Sequence, residues 1–220
     1  MKTRTSIILI GLALFLSSCI VKSIQPFYTA ESQYFDDRLV GDFITKGKST
    51  WKFLAFKTEW EKENQDKSKL TKEDYEEFEQ YKNAYYVEYI SKGDEAYFIA
   101  MPFKVGEHLF LNFSPLYYDE NDVNGMYAQH LLKTHSAAKV DFNKDDTIIL
   151  SWISESVIKR LFNEQKIRLK HETVGVNEDL VLTASSEELH SFLKKFMSSE
   201  IENKWNKDDI VTLNPHDAKP

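Results

Sequence analysis

The chain has 220 residues, a formal net charge of −7 and a single cysteine, Cys19. This acidic balance argues against nucleic acid as a partner, because the phosphate backbone selects proteins with basic surfaces. One cysteine cannot build a disulfide framework, so an exported domain would have to be stable through its core alone. With 15 Phe, 11 Tyr and 4 Trp, the chain has ample aromatic area for such a core.

The first predicted element is a signal peptide over residues 1–18. Lys2 and Arg4 form a basic start, and an apolar run from Ile7 to Leu16 follows it. A basic start, an apolar run and small residues before a cleavage site are typical of a secretory signal. The run is shorter than the roughly 20 residues that a helix needs to cross a bilayer, which argues against a membrane-spanning anchor.

The four residues Leu16-Ser17-Ser18-Cys19 resemble the lipobox of bacterial lipoproteins. In that family a signal peptidase cleaves before a cysteine that carries a diacylglycerol, and the new amino terminus is then acylated. The resemblance implies that Cys19 is the lipidated first residue of the mature protein. About two acyl chains anchor a protein stably to a membrane, so Cys19 would hold it there. An ordinary signal peptide with a chance cysteine in its cleavage region is the alternative.

The residue after the lipidated cysteine bears on localisation. In bacterial lipoproteins an aspartate at that position tends to mark retention in the inner membrane, whereas this chain has Ile20. No acidic run follows Cys19 of the kind that directs some lipoproteins to the cell surface. The resemblance therefore predicts an outer-membrane protein that faces the periplasm, held by its acyl chains because an acidic surface is not attracted to anionic lipids.

Residues 19–35 are predicted to be a lipidated tether that leads into a single β-rich domain over residues 36–213. Within that domain, residues 58–82 are the most charged part of the chain. Thr71 and Asp74 have the spacing of a helix amino-terminal capping box. We therefore predict a charged helical insertion at this point.

From residue 84 onward the pattern changes to β-strands. Three stretches, AYYVEYIS, EAYFIAMPFKV and EHLFLNFSP, are rich in aromatic and branched residues and are separated by Lys92-Gly93-Asp94 and Gly106. Short polar or glycine-containing connectors between such stretches indicate hairpins, and hence an antiparallel meander. We expect this β-rich α+β fold to close into a barrel, because closure removes the exposed edges of a sheet.

The last predicted elements are an amphipathic helix near the C-terminus and a disordered tail over residues 214–220. Ser185 and Glu188 have the spacing of a capping box, which predicts where the helix begins. The apolar residues that share one face of this helix are Leu189, Phe192, Leu193, Phe196 and Met197.

Two resemblances extend this interpretation. Gly41 and Phe43 stand where lipocalins have a Gly-x-Trp motif, with phenylalanine in place of tryptophan; the resemblance implies a lipocalin-like barrel. The chain is also similar to an uncharacterised family of envelope lipoproteins, over Lys22–Thr29, His130–Val140 and Leu182–Leu193. That second resemblance implies an envelope location and carries no catalytic residues.

Aromatic side chains on the meander strands are candidates for the lining of a ligand cavity. A barrel of about eight strands is either filled by its own side chains or holds one small ligand. Plain core packing and an apolar cavity are therefore both open. The candidate lining residues are Tyr85, Tyr89, Tyr97, Phe98, Phe103, Phe110 and Phe113.

The sequence lacks the patterns typical of an enzyme. There is no Gly-x-Ser-x-Gly elbow, and the five-residue spacing of His130 and His135 does not match a helical zinc site. We expect no catalytic residue, metal or cofactor, and a non-catalytic binding or structural role in the cell envelope. The partner would be a small hydrophobic ligand or an envelope protein. The alternatives are a carrier that holds such a ligand in the barrel interior and a hydrolase with an unrecognised site.

Overall fold

The computed structural model describes residues 20–116 and 131–216. The predicted signal peptide and the lipidation site Cys19 lie outside the described residues. The strands are β1 (Lys22–Ser23), β2 (Gly41–Ile44), β3 (Thr50–Ala55), β4 (Tyr85–Ser91), β5 (Asp94–Val105), β6 (His108–Pro115), β7 (Ser136–Phe142), β8 (Ile148–Trp152), β9 (His171–Val174), β10 (Asp179–Leu182) and β11 (Ile210–Pro215). The α-helices are α1 (Phe56–Glu63), α2 (Lys72–Tyr81), α3 (Glu155–Asn163) and α4 (Ser186–Ser198).

Eight strands form a closed antiparallel barrel in the order β11-β2-β3-β4-β5-β6-β7-β8. Strands β2 to β8 follow one another as a meander, and β11, from near the end of the chain, completes the ring between β8 and β2. The remaining strands form a small sheet in the order β1-β10-β9. The prediction of a β-rich α+β fold with a lipocalin-like barrel and a C-terminal amphipathic helix is confirmed.

The barrel interior is filled largely by aromatic side chains. The ring of Trp51 lies 4.6 Å from that of Tyr89, and the ring of Phe113 lies 5.4 Å from that of Trp152, measured between centroids. These separations are typical of packed aromatic pairs. The buried residues of this interior cluster are Leu39, Phe43, Trp51, Phe53, Tyr85, Val87, Ala100, Leu109, Leu111, Phe113, Ala138, Val140, Ile148, Leu150, Trp152 and Leu213.

A second apolar cluster, which we call the outer cluster, lies between the outside of the barrel and the helices α3 and α4. Strands β5 and β6 contribute Phe103 and Phe110, and α4 contributes Phe192, Leu193 and Phe196. The predicted capping box at the start of α4 is present, with Ser185 and Glu188 each bonded to the other's backbone N–H. The outer face of the barrel is therefore apolar where these elements cover it.

The prediction of a tether over residues 19–35 is wrong for residues 20–35. Val21 and Phe27 are fully buried in the outer cluster. The Val21 N–H donates to the carbonyl oxygen of Ile153 at 2.9 Å, and the Phe27 N–H donates to Asn112 Oδ1 at 3.1 Å. Strand β1 also pairs in parallel with β10. This segment is therefore part of the folded domain and joins the barrel to the small sheet.

The charged segment over residues 58–82 contains most of α1 and all of α2. The two helices contact each other through Trp60 and Phe78, whose ring centroids lie 4.6 Å apart. The expected capping box is present at the start of α2: the Thr71 N–H donates to Asp74 Oδ2 at 2.7 Å, and Thr71 Oγ1 accepts from the Asp74 N–H at 3.2 Å. The insertion thus adds a helical pair beside the barrel.

The prediction of a disordered tail over residues 214–220 is wrong for its first part. Asn214 and Pro215 belong to β11 and pair with β2. The His216 N–H donates to the carbonyl oxygen of Asp42 at 2.8 Å. Residues 217–220 lie outside the described residues.

Candidate binding site at the barrel seam

The ladder of the barrel is incomplete where β11 meets β2. Only Asn214 and Pro215 of β11 pair with β2, whereas the residues from Ile210 to Leu213 pair with β8. The wall between the first half of β11 and the β2–β3 turn therefore has no strand pairing. A pocket of about 710 Å³ opens there, and we call it the seam pocket.

The rim of the seam pocket is shaped by the β2–β3 turn. The Thr45 N–H donates to the carbonyl oxygen of Ser49 at 2.9 Å, and the Ser49 N–H donates to Thr45 Oγ1 at 3.1 Å. These bonds hold Lys46 and Gly47 at the edge of the pocket. The Lys46 ammonium is exposed, so the rim carries a positive charge above a more apolar floor.

Trp51 forms part of the floor of the seam pocket. Its side chain is only 8 % exposed, and its Nε1 is buried without a hydrogen-bond partner among the described residues. A buried donor left unpaired costs about 1–3 kcal/mol, and nearly all such groups in folded proteins have a partner. An acceptor atom of a bound molecule would remove this cost.

Four of the seven predicted lining residues lie on the interior side: Tyr85 and Phe113 belong to the interior cluster, and the partly buried Tyr89 and Phe98 pack against it. Of these, Tyr89 lines the seam pocket. Tyr85 has a structural task instead: its hydroxyl donates to the carbonyl oxygen of Asp36 at 2.9 Å and accepts from the Asp36 N–H at 3.0 Å. Burial raises the pKa of Tyr85, so the hydroxyl keeps its proton for this bond.

The prediction of a cavity lining is wrong for Phe103, Phe110 and Tyr97. Phe103 and Phe110 stack on each other in the outer cluster, with centroids 5.6 Å apart. Tyr97 alternates with the inward-facing Phe98, and its hydroxyl donates to Glu95 Oε2 at 2.5 Å. Successive residues of a strand point to opposite faces, and here helices cover the outer face as well. Aromatic residues therefore occupy both faces, and aromatic content does not mark the inner one.

Of the residues that line the seam pocket, sequence reasoning selected Tyr89 but not Trp51. Around Trp51 the strand β3 has apolar residues on both of its sides, so its alternation does not mark an inner face. The place of Trp51 beside an opening follows from the partial pairing of β11, a strand that the sequence did not predict. The site can be located only from the order of the strands in the closed barrel, which the tertiary structure gives.

The histidine with the most defined environment is His135. Its Nδ1 lies 3.0 Å from Asn112 Nδ2. Because Asn112 Oδ1 accepts from the Phe27 N–H, the amide nitrogen must face the imidazole and donate to it. Burial lowers the pKa of His135, which favours the neutral ring that can accept this bond. His135 and Asn112 thus hold the N-terminal segment against the barrel.

Within residues 20–116 and 131–216, no group of three or more His, Cys, Asp and Glu side chains is placed to hold a metal ion. His130, the other half of the pair noted in the sequence, lies outside the described residues. The seam pocket itself offers apolar side chains, Trp51 with its buried Nε1, and the rim residue Lys46.

No protein-family model matches the chain, and no curated protein or solved structure is significantly similar to it. In the part of the chain that the structure describes, no helix is long and apolar enough to cross a membrane. The lipocalin-like description of the fold therefore rests on the strand pairing, and the function has to be argued from this chain's own residues.

Proposed function

We propose that this protein is a lipid-anchored cell-envelope protein whose barrel domain has a non-catalytic binding or structural role. The observation that carries the proposal is the position of the folded domain relative to the lipobox. Ile20 forms a β-bridge with Ser154, and Val21 is fully buried. Cleavage before Cys19 would therefore keep the whole folded domain from Ile20 onward, and the lipid-bearing residue would directly precede it in the chain.

The proposed location is the outer membrane, with the domain facing the periplasm. The support is Ile20 in the position where an aspartate would mark inner-membrane retention, together with the acidic composition of the chain. An acidic domain gains little from anionic lipid heads, so the acyl chains on Cys19 would supply the membrane affinity. The anchored protein would reach an envelope-protein partner by lateral diffusion in that leaflet.

The replacement Cys19→Ala tests the anchor in cells that produce the full-length chain. We expect the wild-type protein to carry acyl groups on Cys19 and to stay in the membrane fraction, and C19A to accumulate as the uncleaved precursor. The measurement is mass spectrometry of the N-terminal peptide together with membrane fractionation. Ser18→Ala is the matched control, since it keeps a small residue before the cysteine. Normal cleavage of C19A without acylation would instead indicate an ordinary signal peptide.

The seam pocket favours a second candidate function, namely the binding of a small hydrophobic ligand. The observation is that Trp51 lines the opening and that its buried Nε1 lacks a hydrogen-bond partner among the described residues. The ligand would be an apolar molecule with a hydrogen-bond acceptor. It would sit at the seam, since aromatic side chains occupy the deeper interior.

Native mass spectrometry of residues 20–220, purified from cells, tests this second candidate. We expect a bound small molecule whose mass disappears after solvent extraction. Trp51→Phe keeps a ring but removes the N–H donor, and a hydrogen bond is worth about 0.5–1.5 kcal/mol net, so occupancy should fall by about 2- to 12-fold. Trp205→Phe, outside the pocket, is the control and should leave the bound mass unchanged. An empty protein before extraction would exclude the carrier and direct the search to protein partners.

A further inference from the structure

The tip of the β9–β10 hairpin exposes two branched apolar side chains. Val176 is fully exposed, and Val174 is 54 % exposed. The turn between them includes Gly175, which has a φ of +76°. Single exposed valines are common on protein surfaces and carry no conclusion by themselves. Val174 and Val176 are of interest because their hairpin lies near the start of the domain, next to the predicted lipid anchor.

The register of the small sheet places the hairpin tip beside the start of the domain. Lys22 pairs with Val181 in parallel, so the start of β1 and the hairpin tip, which precedes β10, lie at the same end of the small sheet. Asp179, the first residue of β10, faces Val174 across the hairpin. Neighbouring strands lie about 4.8 Å apart, so β9, which ends at the tip, is about 10 Å from β1 across the sheet.

Helix α3 holds both parts in place. Ser154, directly before α3, forms the β-bridge with Ile20. On the same first turns of α3, Glu155 Oε1 accepts from the Leu180 N–H at 3.1 Å, and Lys159 Nζ donates to the carbonyl oxygen of Glu178 at 2.8 Å. The start of the domain and the hairpin therefore form one rigid surface, not two independent segments.

We propose that the β9–β10 hairpin tip is a second membrane contact, which inserts Val174 and Val176 into the interface of the leaflet that carries the acyl chains on Cys19. This inference rests on the proposed lipid anchor. Only Ile20 separates Cys19 from the buried Val21, and two residues of extended chain span about 7 Å. The domain therefore cannot leave the bilayer surface, and the surface around Ile20 must face it.

The side chains named around Lys159 carry a net negative charge, since one ammonium stands against the carboxylates of Glu155, Glu178 and Asp179. Lys159 forms a salt bridge with Glu155 at 2.7 Å, and Glu178 and Asp179 lie close enough to raise the pKa of Lys159 further. The bridge to Glu155 is the larger cause of that shift. This excess of carboxylates gives no attraction to anionic lipids, so the contact would depend on apolar insertion, and neutral vesicles are a suitable probe.

The experiment uses the full-length chain, processed in cells and lipidated at Cys19, with the substitution V176C. Because the chain has one natural cysteine and lipid blocks its thiol, the new thiol is the only site for an environment-sensitive fluorophore. The labelled protein is reconstituted into phosphatidylcholine vesicles with and without a spin-labelled phosphatidylcholine that quenches fluorescence. The matched control is K144C in the exposed β7–β8 turn, which lies at the end of β8 away from the bridge between Ser154 and Ile20.

We expect the probe at position 176 to show a blue shift of its emission and strong quenching by the spin-labelled lipid, and the probe at position 144 to show neither. Equal emission and quenching at the two positions, in protein whose mass confirms lipidation, would overturn the hairpin contact and leave the anchor standing. A mass without lipid would overturn the anchor, and this inference with it.

Discussion

Phe27→Ala should lower the free energy of unfolding by about 3–5 kcal/mol, the usual cost of truncating a buried phenylalanine. Phe27 is fully buried in the outer cluster, among side chains of the barrel wall, α3 and α4. Its removal leaves a cavity that joins three parts of the domain, so neighbouring side chains cannot close it by a local shift. Urea unfolding of residues 20–220, followed by tryptophan fluorescence, measures the loss.

Tyr34→Ala is the matched control, because it truncates an aromatic side chain of the same segment that is 40 % exposed. The Tyr34 ring contacts only the Lys104 ammonium among the described ring and cation contacts, at 3.6 Å, so its loss should cost about 1 kcal/mol or less. A loss for Phe27→Ala as small as that of the control would show that residues 20–35 behave as a tether in solution.

Asn112→Ala should cost about 1–3 kcal/mol for each of the two polar groups that it leaves without a partner. The side chain of Asn112 is 2 % exposed and serves the Phe27 N–H through Oδ1 and the His135 ring through Nδ2. Alanine can replace neither bond; the Phe27 N–H is buried, and the His135 ring is partly buried. Chemical denaturation above the ordinary histidine pKa of 6.5 keeps His135 neutral in both the folded and the unfolded state.

Asn143→Ala provides the comparison for this second substitution. Asn143 Nδ2 donates to Thr147 Oγ1 at 2.9 Å in the exposed β7–β8 turn. Water can replace that bond, so the variant should lose about 1 kcal/mol or less. Equal effects of the two alanine variants would mean that Asn112 does not join the N-terminal segment to the barrel.

Much of the barrel was predictable because its hairpins are local. Short connectors such as Lys92-Gly93-Asp94 join strands that are rich in aromatic residues. Because the connector is short, each strand pairs with the strand that follows it in the chain. The capping boxes at Thr71 and Ser185 were predictable for the same reason, since each involves residues three positions apart. Local chemistry is visible in the sequence wherever the interacting residues are close along the chain.

The segment over residues 20–35 and strand β11 were not predictable in this way. The segment contains Pro26 and mixes polar with apolar residues without a regular period, so local pattern favours a linker. Its burial comes from partners far along the chain, such as Ile153 and Asn112. Strand β11 likewise becomes a strand because β8 and β2 leave two edges that it can pair with.

By itself, the sequence determined the order of the meander hairpins and the two capped helices, and it predicts the lipobox-like signal that ends at Cys19. Each depends on residues that are adjacent or a few positions apart. Only the tertiary structure decided which face of β5 and β6 is inside, where the barrel wall opens beside Trp51, and that Val176 lies near the start of the domain. These depend on ring closure and on pairing between β1 and β10, contacts whose partners are separated by most of the chain.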